Sequence, residues 1–401
     1  MVKVAVLGYG TVGSGVVEVI ETNKDLISKN IGEDMEIAYV LDIRDFPDDP
    51  IQSRITHDFN DILKDESVSI VCEVMGGVNP AYEFTKQLLQ AGKSVCTSNK
   101  ELVANHGAEL LSIAREKKVN YLFEASCGGG IPIICTINRA LTANKIDEIT
   151  GILNGTTNYI LTEMAEKGET FEDALSKAQE MGYAERNPEA DVEGYDACRK
   201  IAILSSLAFN KILDYKDIYT EGITGITKED MLYASKLDMS IKLLAMSEIQ
   251  DEQVYSMVAP FLVHETNPLC GVKGVFNAVF VHGNMLGDSM YYGSGAGKLP
   301  TASAVVGDVI DAVRHKGRTI MTFNSREALK PTEHKHMRCT FFVRVPEEAL
   351  EEAKAAFGKV EVVRADGLTG EVGVITEVMS ESEFEERSGR ISRILNRIRI
   401  K

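Results

Sequence analysis

Asp196 and Lys200 stand four residues apart in "GYDACRK" (194–200), the spacing that stacks two side chains on one helical face. An acid and a base held this way can exchange a proton with a substrate, although the same spacing also decorates ordinary solvated helices. Just upstream, "GYAERNPEADVE" supplies Glu185 and Asp191. Clustered carboxylates can hold a substrate ammonium, and a lysine beside them can move a proton. "GILNGTTNYIL" (151–161) sets Asn154, Thr156, Thr157 and Asn158 across a strand-to-helix transition. One of the four is expected to cap the helix, and together they suit an amino-acid head group. A second lysine, Lys100 in "TSNKE" (97–101), follows a strand at the sheet edge where parallel folds bind ligands.

The N-terminus carries a different chemistry. "GYGTVGSG" gives Gly8, Gly10 and Gly13 in GxGxxG spacing, after a strand and at the opening of a helix. The first glycine permits the turn, the second lets a pyrophosphate approach the backbone, and the third lets helix and strand pack closely. In "VLDIRD", after the second strand, Asp42 can accept from a ribose 2′-hydroxyl, which favours NAD. Arg44 can pair with a 2′-phosphate, which favours NADP. Both readings stay open.

These residues need elements to hold them. Short β-branched runs alternate with helical stretches through the first third of the chain, the pattern of a doubly wound parallel sheet. Longer segments follow from about residue 136, with a run of helices over about 160–210 and strand-like pieces over 257–283. Residues 324–337 are polar, contain a proline and read as a linker. Beyond them lies a β-α-β-β series with a last helical stretch from about 382 that ends in "NRIRIK". The expected class is α/β: a Rossmann-type doubly wound parallel sheet (1–135, completed by 300–322), an α+β substrate and dimerisation domain (136–299) and a small C-terminal α+β domain (338–401). Cutting after about Asn324 is expected to leave the first two intact.

Composition narrows the partners. In 401 residues, 44% are hydrophobic and 26% charged, as in ordinary globular proteins. The net charge of −17 argues against nucleic acid or an anionic membrane surface. No apolar run is long enough to cross a bilayer, and "MVKVAVLGYG" enters a strand-like pattern at once. Seven scattered cysteines without a CxxC pair suggest neither zinc nor a disulfide framework, and a reducing cytoplasm fits them.

Taken in order, "GYGTVG", "SNKE", "EASCGGGIPII", "GILNGTTNYIL", "GYAE…ADVEGYDACRK" and "YYGSGAGKLPTASAVVGDV" resemble the homoserine dehydrogenase family over about residues 1–320. The resemblance implies NAD(P)-dependent interconversion of L-homoserine and L-aspartate 4-semialdehyde, in threonine and methionine biosynthesis, by a homodimer or homotetramer. By motif, Lys200 is the proton donor or acceptor with Asp196 beside it, and Lys100 lies between nicotinamide and substrate. Glu185 binds the substrate ammonium, with Tyr183, Gly155, Thr156 and Asp191 lining the pocket. Tyr9, Thr11, Val12, Met75, Gly76 and Gly297 touch the dinucleotide. The main-chain carbonyls of Glu124, Cys127, Gly129 and Ile131 correspond to a site for a monovalent cation such as sodium, a hard ion suited to oxygen ligands. Cys127 itself is expected to be a small buried residue.

The tail resembles an ACT regulatory domain, chiefly in "GVITEVMSESEF…ILNRIRI". It reads "RVPEEALEEAK" where that family has an Asp-x-Pro-Gly turn, so millimolar threonine is expected to have little effect. Two other readings exist. One is an amino-acid dehydrogenase for a different carbon skeleton, which a panel of hydroxy amino acids distinguishes. The other is a non-catalytic nucleotide-bound sensor, which would be expected to lack one of the lysines or carboxylates that are all present here.

Overall fold

A computed structural model describes residues 1–401, and the chain divides into two compact units. The first comprises Met1–Lys145, Ala202–Asp214 and Gly293–Leu329. Its sheet runs Ile55–Thr56, Met35–Leu41, Val2–Leu7, Val68–Glu73, Ser94–Thr97 and Tyr121–Leu122 in space, with every neighbouring pair parallel. Numbered along the chain this is the order 3-2-1-4-5-6 of a doubly wound dinucleotide fold. Parallel strands covered on both faces must be apolar throughout, and Val4, Ala5, Val6 and Leu7 are fully buried. The order reverses between the first and fourth strands, so the loops leaving Leu7 and Glu73 flank the switch point where such folds bind ligands.

The unit is larger than the expected 1–135 with 300–322. All of the apolar run "IAILSSLAF" after Ile201 belongs to it, and the strand Ile212–Leu213 just after that run pairs in parallel with Ala328–Leu329. The helix Lys298–Arg314 packs on the helix Thr11–Thr22 at Gly15, where a Cβ would come within 2.9 Å of the Ala302 methyl.

The second unit comprises Ile146–Ile201, Tyr215–Tyr292 and Lys330–Lys401. Its main sheet has the spatial order Gly287–Ser294, Phe276–Gly283, Ile146–Ile152, Met239–Gln250, Gln253–His264, Asn396–Ile400, Arg338–Pro346, Glu371–Thr376 and Val360–Val363. The tail thus forms β-α-β-β-α-β, with its helices Leu350–Phe357 and Glu381–Ser388 over Phe341, Val343, Val372 and Val374. No helix of the chain is long and apolar enough to cross a membrane.

Two expectations are corrected here. The segment "NRIRI" is a strand rather than the end of a helix, and it pairs with Arg338–Pro346 on one side and with Gln253–His264 on the other. The tail is consequently not a separate domain, because its last strand continues the sheet of the preceding segment. Charge reinforces the join. Arg399, wholly buried, donates to Glu381 and, at 2.9 Å, to Glu221. Arg344 donates at 2.8 Å to both Asp230 and Glu371. The expected linker is also ordered, since Met337 is buried and His334 stacks on Tyr219 at 3.8 Å between ring centres. Cutting after Asn324 therefore removes part of a core.

Candidate active site

In the first unit Gly8 and Gly13 of the N-terminal loop have the turn and the close approach that their spacing predicts. Gly8 has φ +97°, a left-handed conformation that favours glycine. A Cβ on Gly13 would lie 1.9 Å from the Gly8 carbonyl, so only glycine allows helix and loop to approach. At Gly10 nothing lies within 4 Å of where a Cβ would be. Gly10 caps the helix Thr11–Thr22 without a side-chain bond, leaving the first N–H groups, at Thr11 and Val12, for an anion. A pocket of about 490 Å³ opens beside the loop, lined by Gly8, Gly10, Asp42, Arg44, His57 and Met75 among others.

Asp42 and Arg44 are engaged with each other. Arg44 forks onto the Asp42 carboxylate with two bonds of 3.0 Å, and the Tyr9 N–H donates to the same carboxylate at 2.7 Å. The guanidinium fork first, and the backbone bonds after it, hold the Asp42 carboxyl down at about 2 against its burial. The Tyr9 hydroxyl donates to Asp49 at 3.0 Å. Lys100 opens the helix Lys100–Lys117, whose cap is Asn99, the side chain of which accepts the Leu102 N–H at 3.0 Å. Gly297, at φ +119°, caps the helix Lys298–Arg314.

The turn "EASCGGGI" also lies in this unit. Gly128 and Gly129 both have positive φ, and a Cβ on Gly129 would come 2.5 Å from the backbone of Gly295. The Glu124 side chain is used locally, accepting the N–H groups of Ile134 at 2.8 Å and Cys135 at 2.6 Å. Cys127 is fully buried, as expected.

The second unit holds the Asp196–Lys200 pair, and it is no solvated decoration. Its side chains are 6% and 11% exposed. Lys200 Nζ donates to Asp196 Oδ2 at 2.7 Å and to the Leu153 carbonyl at 2.8 Å. Both residues sit at the start of the helix Tyr195–Phe209, which is held by burial from Ile201 to Ser205. The hub of the cluster is Asn154, expected as one of four candidates for a cap or a head-group contact but not as the partner of Asp196 and Asp191. Asn154 Nδ2 donates to Asp196 Oδ2 at 2.9 Å and to Asp191 Oδ1 at 2.7 Å, while its Oδ1 caps the helix Gly155–Lys167 at the Thr157 N–H. The composition of "LNGTT" contains that signal, an N-cap asparagine with an amide to spare. Thr156 joins the same region by donating to the Tyr183 carbonyl at 2.6 Å. Glu185 is exposed on the following loop, where its carbonyl accepts from Gln179, and its carboxylate is not drawn into the cluster.

Against known proteins, the family model for homoserine dehydrogenase matches residues 132–310, and that for the homoserine dehydrogenase NAD-binding domain matches 8–124. A homoserine dehydrogenase of Pseudomonas aeruginosa is 38% identical over 98% of this chain and 91% of its own length. The crystal structure of a homoserine dehydrogenase from Thiobacillus denitrificans superposes with a TM-score of 0.90 at 33% identity, covering 100% of this chain and 98% of that one. A hyperthermophilic archaeal homoserine dehydrogenase mutant in complex with NADPH superposes with a TM-score of 0.65 at 27% identity, over 78% of this chain and 97% of that one.

Proposed function

Because the chain belongs to the homoserine dehydrogenase family, and so is an NAD(P)-dependent oxidoreductase of amino-acid biosynthesis, we infer that Lys200 carries the proton of its reaction. The observation that carries this reading is the buried Asn154–Asp196–Lys200 cluster. In semialdehyde reduction Lys200 gives a proton to the carbonyl oxygen as a hydride reaches that carbon, and in homoserine oxidation it takes the hydroxyl proton as the C4 hydrogen leaves. Asp196 and the Leu153 carbonyl fix the Lys200 ammonium from two directions, which is what a proton donor needs in order to act at one atom. Gly155, Thr156, Tyr183 and Asp191 line the substrate pocket, and Glu185 meets the ammonium from its exposed loop. Lys100 works on the nicotinamide side.

Bound NAD(P) supplies the hydride acceptor or donor. Its phosphates suit the open face of Gly10 and the uncapped N–H groups of Thr11 and Val12, with Gly8, Tyr9, Gly13, Met75, Gly76 and Gly297 around it. Asp42 can take the ribose hydroxyls of NAD, while Arg44, exposed on its outer side, can take the extra phosphate of NADP on leaving Asp42. The tight glycine turn supports main-chain carbonyls of Glu124, Cys127, Gly129 and Ile131 as oxygen ligands for sodium. An ACT-like role for the tail is supported by its β-α-β-β-α-β order. A homodimer is supported by the terminal strand Gly287–Ser294, near which Met285, Leu286, Met290 and Tyr292 are exposed. Seven free cysteines suit a cytoplasmic enzyme.

Steady-state rates with homoserine and each of NAD and NADP test the reading, with light scattering of the same sample for the dimer. Oxidation should be measurable with at least one dinucleotide and should rise with pH, since it releases a proton. Replacing sodium by tetramethylammonium at equal ionic strength should lower the rate. No oxidation above background with either dinucleotide would overturn the assignment of substrate, and indifference to sodium would remove the cation.

A further inference from the structure

Glu73 ends the fourth strand of the first unit, and it is wholly buried. Its carboxylate reaches two loops at once. Oε1 accepts the Met75 N–H at 2.9 Å, and Oε2 accepts the Thr97 hydroxyl at 2.6 Å. Thr97 Oγ1 accepts the Asn99 N–H at 2.9 Å. Asn99 in turn caps the helix that begins at Lys100, and its side-chain amide donates to the Gly77 carbonyl. The bonds close a ring that joins Glu73, the Met75–Gly77 stretch, Asn99 and Thr97.

Packing does not explain this ring. The preceding strand residues Val71 and Cys72 fill the core with apolar groups, and a carboxyl at the next position is costly to bury unless its bonds are needed. Burial does push the Glu73 carboxyl above its ordinary value, against the bonds from Thr97 and Met75. Packing does not shape the loop at its two glycines either. Gly76 and Gly77 have φ of +82° and +68°, and nothing lies within 4 Å of a Cβ on either one. The Met75 N–H bond to Glu73 and the Asn99 amide bond to the Gly77 carbonyl hold that backbone at its two ends.

We propose that Glu73 is a positioning residue of the dehydrogenase, whose carboxyl locks the Met75–Gly77 loop to the cap of the Lys100 helix. The dinucleotide-binding loop and Lys100 are thereby set as one piece. The inference rests on the roles given above to Met75, Gly76 and Lys100.

Three variants test it: Glu73→Leu, Glu73→Gln and Thr97→Val. For each, melting temperature, dinucleotide affinity by fluorescence titration with NADPH and NADH, and steady-state kcat and KM are measured. Glu73→Leu frees both loops, so dinucleotide affinity and kcat should each fall about tenfold or more. Glu73→Gln keeps an acceptor for Met75 and should recover most of that affinity. Thr97→Val cuts only the link toward Lys100, so kcat should fall several-fold while affinity stays within about twofold. If Glu73→Leu does not fold, the other two carry the test. Affinity and kcat within about twofold of wild type in Glu73→Gln and Thr97→Val together would overturn the proposal. So would losses that only follow melting temperature, with no separation of affinity from kcat. Wild-type enzyme that binds neither NADPH nor NADH would instead overturn the roles of Met75 and Gly76, independently of any variant.

Discussion

Lys200→Met is expected to fold and to bind dinucleotide as the wild type does, yet to turn over at least about a hundredfold more slowly. An exposed ion pair contributes about 0–1 kcal/mol, so its loss would be nearly silent. Lys200 is not in that position. Its side chain is 11% exposed and bonded to Asp196 and to the Leu153 carbonyl. Methionine fills the same space without the proton. Asp196→Asn should also slow turnover, because Asp196 receives both Lys200 and Asn154 on one oxygen and so sets the position of the ammonium. Glu185→Gln should differ in kind, raising KM with little change in kcat, since an ammonium contact is the same in ground and transition states. Stopped-flow and steady-state rates with homoserine separate these outcomes. Near-normal turnover in Lys200→Met would remove Lys200 from the chemistry.

The second large effect concerns the tail. A chain ending at Asn324 is expected to be insoluble or unfolded, because it would unpair the end of the long strand Gln253–His264 at Phe261 and Leu262 and leave Glu221 and Asp230 without their guanidinium partners. A single substitution measures the same dependence more gently. Arg399→Leu leaves Glu381 without its guanidinium partner and Glu221 with Arg397 alone, at a cost of about 3–5 kcal/mol, read from the urea unfolding midpoint. The deficit should depend on pH. Burial alone would raise the Glu221 carboxyl, but Arg399 and Arg397 bring it below its ordinary value. A lowered pKa means stability that is present at neutral pH and lost as pH falls through the carboxylate range. The gap between variant and wild type should therefore narrow toward about pH 4. A soluble, cooperatively folded chain ending at Asn324 would contradict the shared core.

The glycine loop was legible because each of its residues answers a local demand: a turn at Gly8, an open face at Gly10, a close approach at Gly13. The Asp196–Lys200 pair was legible from spacing, but not its burial, which depends on Leu153 and Asn154 arriving from more than forty residues away. Asn154 reads as a cap because capping is local; its second role needs Asp191 and Asp196 to come to it. The tail misled for a plain reason. In "NRIRIK" two arginines alternate with two isoleucines, a period-two pattern, yet arginine argues for solvent, and Arg399 is wholly buried only because Glu381 and Glu221 await it. Glu73 shows the same limit, since its ring is closed by Thr97 at the end of the next strand and by Asn99 just beyond it.

The position of Asn396–Ile400 in the second sheet has a consequence for the order in which the protein is made. The strand lies between Gln253–His264 and Arg338–Pro346, so residues near the middle of the sheet leave the ribosome only after both of the strands they join. Until they emerge, Arg338–Pro346 and the Phe261–Leu262 end of Gln253–His264 have no neighbour on the sides that will face each other. A nascent chain carries such open edges at risk of pairing with another chain. Synthesis that stalls between about residues 350 and 395 would leave a molecule with its glycine loop already made and its second sheet still divided, its inner edges open to pairing with another chain.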